Sequence, residues 1–333
     1  MKVAVVILNW NGKQLLEQFL PSVVQYSKEA TIYVADNAST DDSVAFVKAH
    51  FPDVKLVVNT TNTGYAGGYN EALQHIEADI YALVNSDIEV TENWLQPIIK
   101  TFQEESNTAI IQPKILDFKN KAYFEYAGAA GGFIDQYGYP FCRGRIFNTL
   151  EKDQGQYDSN QDIFWASGAC FFIRSTVYKE LNGFDASFFA HQEEIDLCWR
   201  AINKGYSIKY LFKSKVYHVG GATLEQGNPK KTELNFRNSL LMLTKNLPKK
   251  VLFRVLFIRM LLDGIAGMKF LFEGQPKHTL AIVKAHFVFY HLFLNNYRKR
   301  TDFQLKKYYY TKNIVFNYFV NKHDYFSKIN SIK

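Results

Sequence analysis

Four short, predominantly apolar runs mark the first hundred positions, at residues 3–8, 31–35, 54–58 and 80–84. The first three lead through a polar turn into a stretch with helical spacing of apolar residues, and the fourth ends in Asn85-Ser86-Asp87. Strands that alternate with helices predict a parallel sheet with crossover helices. Ligands in open α/β sheets bind beyond the carboxyl ends of the strands, so Asn9, Asp36-Asn37, Asn62 and Asn85-Ser86-Asp87 are expected on one rim.

The pattern changes between residues 108 and 233. Segments rich in glycine and aromatics, such as Tyr126-Ala127-Gly128-Ala129-Ala130-Gly131-Gly132-Phe133, separate short strands there, and the reading is a mixed-sheet continuation. One helix is expected over residues 91–102, and another from Gln192 to about Asn203, stopped by Gly205. From residue 234 onward the spacing is mostly helical, interrupted at Pro248 and Pro276, and neither an internal repeat nor a flexible linker is apparent.

With 333 residues, 47% hydrophobic and 21% charged, and only 19 Gly and 8 Pro, the chain is neither disordered nor collagen-like. Its length allows two domains, or one large domain with an appendage. The cysteines Cys142, Cys170 and Cys198 form no CxxC pair and are odd in number, which supports neither a disulfide framework nor a zinc knuckle and fits a reducing, cytosolic compartment. The apolar start reads as a core strand, not a leader. A membrane-crossing helix needs about 20 mostly apolar residues. The longest charge-free stretch of the tail, residues 285–297, has 13 residues with two His, so no crossing is expected.

Charge changes this picture. The net +7 divides at residue 233 into 21 basic and 28 acidic side chains before it, and 18 basic and 4 acidic after it, or −7 against +14. The basic tail is also aromatic, as in Phe287-Val288-Phe289-Tyr290-His291-Leu292-Phe293. Apolar rings on one side of a helix and cations on the other suit an anionic membrane surface. The same composition also serves the core of a helical subdomain, or single-stranded nucleic acid; nucleic acid is not expected as a partner.

Several segments could carry chemistry. Asp36 closes a strand, and Ser39 or Thr40 could cap the following helix. Asn62-Thr63-Gly64-Tyr65-Ala66-Gly67-Gly68-Tyr69-Asn70 opens a helix whose free N–H groups could receive a phosphate, though its spacing is not GxGxxG. Asp87, at the end of a buried strand, needs a cation or solvent, and divalent metals take oxygen ligands from such carboxylates and from phosphates. Glu193-Glu194-Ile195-Asp196 puts three acids at a helix start, where the dipole alone would stabilise them, but the apolar residues before them suggest a partly closed pocket suited to a general base. His218 ends a further strand-like run, Val216-Tyr217-His218-Val219-Gly220-Gly221.

Taken in order, these segments resemble the inverting family 2 glycosyltransferases of GT-A fold, in the bacterial rhamnosyltransferase-like branch. The carriers are Val6-Ile7-Leu8-Asn9-Trp10-Asn11-Gly12, Val34-Ala35-Asp36-Asn37-Ala38-Ser39-Thr40-Asp41, the Asn62 to Asn70 turn, Leu83-Val84-Asn85-Ser86-Asp87-Ile88-Glu89-Val90, Trp165-Ala166-Ser167-Gly168-Ala169-Cys170, Gly183-Phe184-Asp185, and Glu193-Glu194-Ile195-Asp196-Leu197-Cys198-Trp199-Arg200. The resemblance covers about residues 3–240. It implies an α/β chain: a mainly parallel central sheet with flanking helices, a Rossmann-like nucleotide-sugar half over about 1–107, a mixed-sheet acceptor half over about 108–233, and a helical extension over 234–333.

It further implies that Asp36, with Asn9 and Asn37 beside it, faces the nucleobase of a nucleoside-diphosphate sugar. Asn62, Gly64, Gly67, Gly68 and Asn70 would lie along the nucleotide, with Asn85 and Ser86 nearby. Asp87 matches the last Asp of the DXD motif, which ties Mg²⁺ or Mn²⁺ to the diphosphate, and His218 matches a histidine that completes the metal site in some relatives. Glu194 stands where the family's base takes the proton of the acceptor hydroxyl, with Glu193 and Asp196 as substitutes. Two departures stand out: Asn85 replaces the first Asp of DXD, removing one charge, and Glu194 replaces the usual Asp, adding a methylene. The implied acceptor is a glycan or polyprenyl-linked glycan of the bacterial surface, met by a peripheral enzyme on the inner face of the membrane. Competing readings are a non-catalytic nucleotide-sugar-binding protein, a sugar nucleotidyltransferase and, more weakly, a dinucleotide-dependent oxidoreductase. The sequence does not fix the oligomeric state.

Overall fold

The computed structural model describes residues 1–220 and 227–331; Gly221, in the segment around His218, lies outside them. The chain opens with β1 (Val3–Asn9), α1 (Lys13–Tyr26), β2 (Ala30–Asp36), α2 (Ser43–His50), β3 (Lys55–Val58), α3 (Gly64–Ala72) and β4 (Ile80–Asn85). After these come β5 (Ile88–Val90), α4 (Gln96–Glu104) and β6 (Thr108–Asp117). A small antiparallel sheet follows, made of β7 (Gly132–Ile134), β8 (Pro140–Cys142), β9 (Arg145–Ile146) and β10 (Thr149–Leu150). The chain then returns through β11 (Gln161–Asp162), β12 (Cys170–Arg174), α5 (Ser175–Glu180), α6 (Glu193–Asn203) and β13 (Ser207–His218). Four helices complete it: α7 (Pro229–Asn246), α8 (Lys249–Phe272), α9 (Pro276–Arg298) and α10 (Ile314–Phe319).

The main sheet runs β11-β13-β6-β12-β4-β1-β2-β3, with β5 paired to β13. Its β3-β2-β1-β4 half is parallel, as the alternation of apolar runs predicts, while β12 lies antiparallel to both β4 and β6. Alternate residues of the central strands feed two cores: Ala4, Val6 and Leu83 belong to one, and Val3, Val5, Ile7 and Val84 to the other. A strand buried on both faces needs the unbroken apolar run seen in the sequence.

Two local expectations shift. The helix expected over 91–102 begins at Gln96, because Asn93 takes a left-handed conformation (φ 60°) and Thr91 Oγ1 donates to the Lys215 carbonyl. Neither Ser39 nor Thr40 caps a helix: α2 starts at Ser43, and Ser39 Oγ instead accepts from Asn11 N and Asn9 Nδ2. The breaks near Pro248 and Pro276 are present, since a proline starts α9 and another separates α7 from α8. The charge boundary at residue 233 falls inside α7, whose Leu240, Leu241, Met242 and Leu243 are fully buried in the same core as Phe188 and Trp199.

Candidate active site

The carboxyl ends of β1 and β2 meet in parallel register, Asn9 opposite Asp36. Both are buried, and Asn9 Nδ2 donates to Asp36 Oδ2 over 3.0 Å while Asp36 Oδ1 accepts from Ser39 N at 2.8 Å. Asn9 Oδ1 has no partner, and Gly12 is glycine because a Cβ there would stand 2.5 Å from that oxygen. Trp10 projects from the same rim, 49% exposed. Asn37 reaches the next turn, where its Nδ2 donates to Asn62 Oδ1 at 2.9 Å and to the Gly64 carbonyl at 3.1 Å.

The helix that follows offers less to a phosphate than its glycines suggest. Gly64 N donates to Asn62 Oδ1 and Ala66 N to the Phe189 carbonyl, so two of its opening N–H groups are engaged. Gly64 has φ +75°, and a Cβ on it would lie 2.5 Å from the Phe189 oxygen. At Gly67 and Gly68 a Cβ would meet Thr63 Oγ1 at 2.5 Å and Asn37 Nδ2 at 2.9 Å, so close packing accounts for both. Asn70 points away from the rim: it donates to the Phe184 carbonyl and accepts from Tyr178 Oη and Phe184 N.

At the end of β4, Asp87 and His218 come together across the β5–β13 pairing, which sets His218 opposite Ile88. His218 Nε2 lies 3.2 Å from Asp87 Oδ1, and its Nδ1 lies 3.2 Å from Glu125 Oε1. All three are at least nine-tenths buried. Burial disfavours the charged ring, yet Glu125 and Asp87 outweigh it and push the imidazole pKa up to about 10. For Asp87 burial works upward, but the charge and hydrogen bond of His218 leave its carboxyl below the ordinary range. Glu125 is a residue that sequence reasoning missed; only its partner across the fold distinguishes it from other loop acids.

The Asp87 carboxylate fits a divalent metal, and His218 would join it only with Nε2 deprotonated, its Nδ1 remaining beside Glu125. Among the described residues no group of three or more His, Cys, Asp or Glu converges to hold an ion. Protein donors would therefore be few, with the other positions left to diphosphate oxygens and water, which is the usual arrangement for Mg²⁺.

The third cluster is the start of α6. Phe189, His191 and Gln192 all have positive φ, at 65°, 71° and 72°, and the turn delivers Glu193, buried, and Glu194, half-buried, to the start of α6. Strain of this kind, about 1–3 kcal/mol per residue, persists where the surroundings over-determine it. Buried oxygens Glu193 Oε2 and Glu194 Oε2 have no partner, nor do His191 Nε2 and Gln192 Oε1. Burial pushes the Glu194 pKa up to about 7 against three opposing backbone hydrogen bonds. Burial and the neighbouring Glu194 charge hold Glu193 well above the carboxylate range, and burial takes His191 down to about 4.

Two bridges join these clusters. Asn85 N donates to the Ala169 carbonyl, and Gly168, the residue before it, lies against Glu194 and accepts at its carbonyl from Tyr65 Oη at 2.7 Å. The Phe189 carbonyl that receives Ala66 N ties the strained turn to α3. A surface groove of about 690 Å³ near Asn93, Pro97 and Lys213 shares no residue with this rim.

Asp196 does not belong with Glu193 and Glu194. It is fully buried, 2.8 Å from each of Arg200 Nε, Lys245 Nζ and Asn246 Nδ2, so its carboxylate is committed to two cations and an amide rather than open to an acceptor hydroxyl. Its role is to anchor α6 on α7. Asp196→Ala is expected to destabilise the protein by about 3–5 kcal/mol, because Lys245 and Arg200 lose a buried counter-charge; a denaturant midpoint equal to that of the parent would overturn this.

The model of the family described as Glycosyl transferase family 2 matches residues 4–181. This chain belongs to that family. It is 21% identical over 229 residues to an N-acetylglucosaminyl-diphospho-decaprenol L-rhamnosyltransferase of Mycobacterium tuberculosis, covering 64% of this chain and 75% of the relative. Similarity to the low-salt glycan biosynthesis hexosyltransferase Agl10 of Haloferax volcanii is 22% identity over 62% of this chain and 63% of the relative. Among solved structures, a Pyrobaculum calidifontis mannosyltransferase in complex with GDP-Man and Mn²⁺ superposes with TM-score 0.54 at 13% identity, covering 87% of each chain. Residues 1–349 of Staphylococcus aureus TarS superpose with TM-score 0.54 at 16% identity, covering 90% of this chain and 89% of that one. The glycosyltransferase identity and the GT-A fold thus agree with the parallel β3-β2-β1-β4 half and the mixed remainder of the sheet described above.

Proposed function

We propose that this glycosyltransferase moves a hexosyl or rhamnosyl group from a nucleoside-diphosphate sugar to a hydroxyl of a glycan or polyprenyl-linked glycan, with inversion, in surface polysaccharide synthesis on the cytoplasmic face of the cell membrane. The observation that carries this reading is half-buried Glu194, whose buried Oε2 lacks a partner, linked through Gly168, Ala169 and Asn85 to the end of β4, which leads to the Asp87–His218 pair. Asp36 and Asn9 accept the nucleobase, and the unpartnered Asn9 Oδ1 supplies an acceptor there. Glu194 takes the acceptor proton as the acceptor oxygen bonds to the anomeric carbon and the bond to the diphosphate breaks on the opposite side, so one displacement inverts the centre. Asp87 and His218 would hold Mg²⁺ or Mn²⁺, which supplies Lewis-acid stabilisation of the departing diphosphate. Glu193, protonated beside Glu194, keeps the second charge out of the pocket and leaves one base.

A panel of nucleotide sugars, scored by nucleoside-diphosphate release and by thermal shift with and without Mn²⁺, tests the reading. One donor is expected to give both a shift and release that depend on an acceptor. A shift with no release under any condition would make the protein a binding module.

A further inference from the structure

The α8–α9 hairpin leaves one side of each helix uncovered. On α8 the exposed residues Phe253, Phe257, Leu261, Ile265, Met268 and Phe272 recur at three- and four-residue intervals, while Leu252, Val255, Leu256, Arg259 and Asp263 face inward. On α9 the exposed set is Leu280, Val283, Phe287, Tyr290 and Leu294, at the same spacing. The stripes are continuous, because Tyr290 Oη reaches Met260 Sδ at 3.3 Å and the Phe253 and Phe293 rings lie 6.4 Å apart. Phe257 is 61% and Phe287 71% exposed, which no ordinary soluble surface requires of side chains this size.

Charge selects the occupant. Residues 249–298 hold eight Lys or Arg and two acids. One acid, Asp263, is buried against Arg259 and His286, and the other, Glu273, pairs with Lys269. Lys249, Lys250, Arg254, Lys277 and Arg298 are exposed around the stripes. A second copy packed face to face would set these cations against each other, whereas acidic lipid headgroups would neutralise them. No helix among the described residues is long and apolar enough to cross a membrane, which leaves the helices lying in the interface.

We propose that the exposed face of the α8–α9 hairpin is the surface on which this protein lies on a membrane containing anionic lipid. It rests on the reading above only for its purpose, bringing a lipid-linked acceptor to Glu194. The hairpin is fastened to the base-bearing turn: Thr232 Oγ1 meets His278 Nδ1 at 2.7 Å, Lys284 pairs with Glu233, and on the same α7 Asn238 Nδ2 donates to the carbonyls of Phe188, Ala190 and His191. A docked hairpin thereby holds the turn that carries Glu194 at a set distance from the lipid surface.

Flotation of the full chain with vesicles of phosphatidylglycerol and phosphatidylethanolamine tests this, with phosphatidylcholine vesicles alongside. Binding is expected to the first and to fall with salt, and the triple variant Phe257→Ser, Leu261→Ser, Phe287→Ser is expected to lose about tenfold or more of the partitioning with an unchanged melting temperature. The variant Lys250→Glu, Arg254→Glu, Lys277→Glu is expected to lose the preference for anionic lipid. Equal partitioning of parent and triple variant overturns the proposal. So does a parent that stays off vesicles and forms a dimer by light scattering that the triple variant abolishes, since the occupant is then a second copy. A protein that floats yet shows no thermal shift with any nucleotide sugar leaves the docking surface standing and sinks the glycosyl-transfer reading instead.

Discussion

Glu194→Gln is expected to lower the turnover number by about a thousandfold, within the range that a positioned general base contributes, while donor affinity stays within about twofold. The amide keeps the size of the side chain and its place against Gly168 but cannot take a proton. In the parent the base is the charged form, so the sign of the pH dependence follows from a pKa raised to about 7: the active carboxylate is scarce below that value and dominant above it. The acid limb of kcat/KM is therefore expected near pH 7, not near the pH 4 to 5 of an exposed glutamate. Glu193→Gln replaces a group that is already neutral, so it should leave this limb near pH 7 and leave substantial activity. A Glu194→Gln enzyme with parental turnover would transfer the base assignment to Glu193 and remove the case for one buried carboxylate acting alone.

Asp87→Asn is expected to cost about a hundredfold to a thousandfold in transfer, the scale of losing one stabiliser of charge that develops at the leaving group. It is also expected to abolish the additional thermal shift that Mn²⁺ gives in the presence of nucleoside diphosphate, a readout independent of turnover. His218 sits between Asp87 and Glu125, so the substitution leaves the ring with a single counter-charge. Glu125→Gln tests the arrangement from the other side: as a positioning residue it should weaken the Mn²⁺-dependent shift while the Mn²⁺-independent part of nucleotide binding persists. Full retention of the Mn²⁺ response in Asp87→Asn would place the metal away from the end of β4. Asn85, which occupies the first DXD position, is held by its backbone N–H to the Ala169 carbonyl, and its side chain makes no hydrogen bond among the described residues, consistent with a site built from few protein charges.

Most of the parallel β3-β2-β1-β4 half is legible along the chain because its information is local. An apolar run of four to seven residues ending in Asn or Asp reports a strand and its rim, and β1 through β4 lie within a residue or two of the runs that announce them. Legibility fails where a side chain's partner is distant. Gly67, Gly68 and Asn70 look like a phosphate turn in sequence, yet their contacts with Thr63, Asn37 and the Phe184 backbone show packing and cross-bracing. The three acids of Glu193-Glu194-Ile195-Asp196 are equivalent in sequence; their separation into two with an unpartnered oxygen and one held by cations depends on Lys245 and Asn246, about fifty positions further on.

The basic, aromatic tail divides in the same way. Composition announces a greasy cationic region, but which rings are core and which face outward is a matter of packing: Phe289 is buried against its neighbours while Phe287, two residues earlier, is open. By itself the sequence determined the alternation of strands and helices, the strand-end carboxylates and the charge split at residue 233, since each is written in neighbouring residues. Tertiary structure alone decided that Glu125 lies beside His218, that Tyr65 and Gly168, 103 positions apart, join the two sides of the rim, and that Asp196 is paired with Lys245 and Arg200. Burial and pairing across the fold set which of several neighbouring carboxylates is left with an unpartnered oxygen, and no local pattern carries that information.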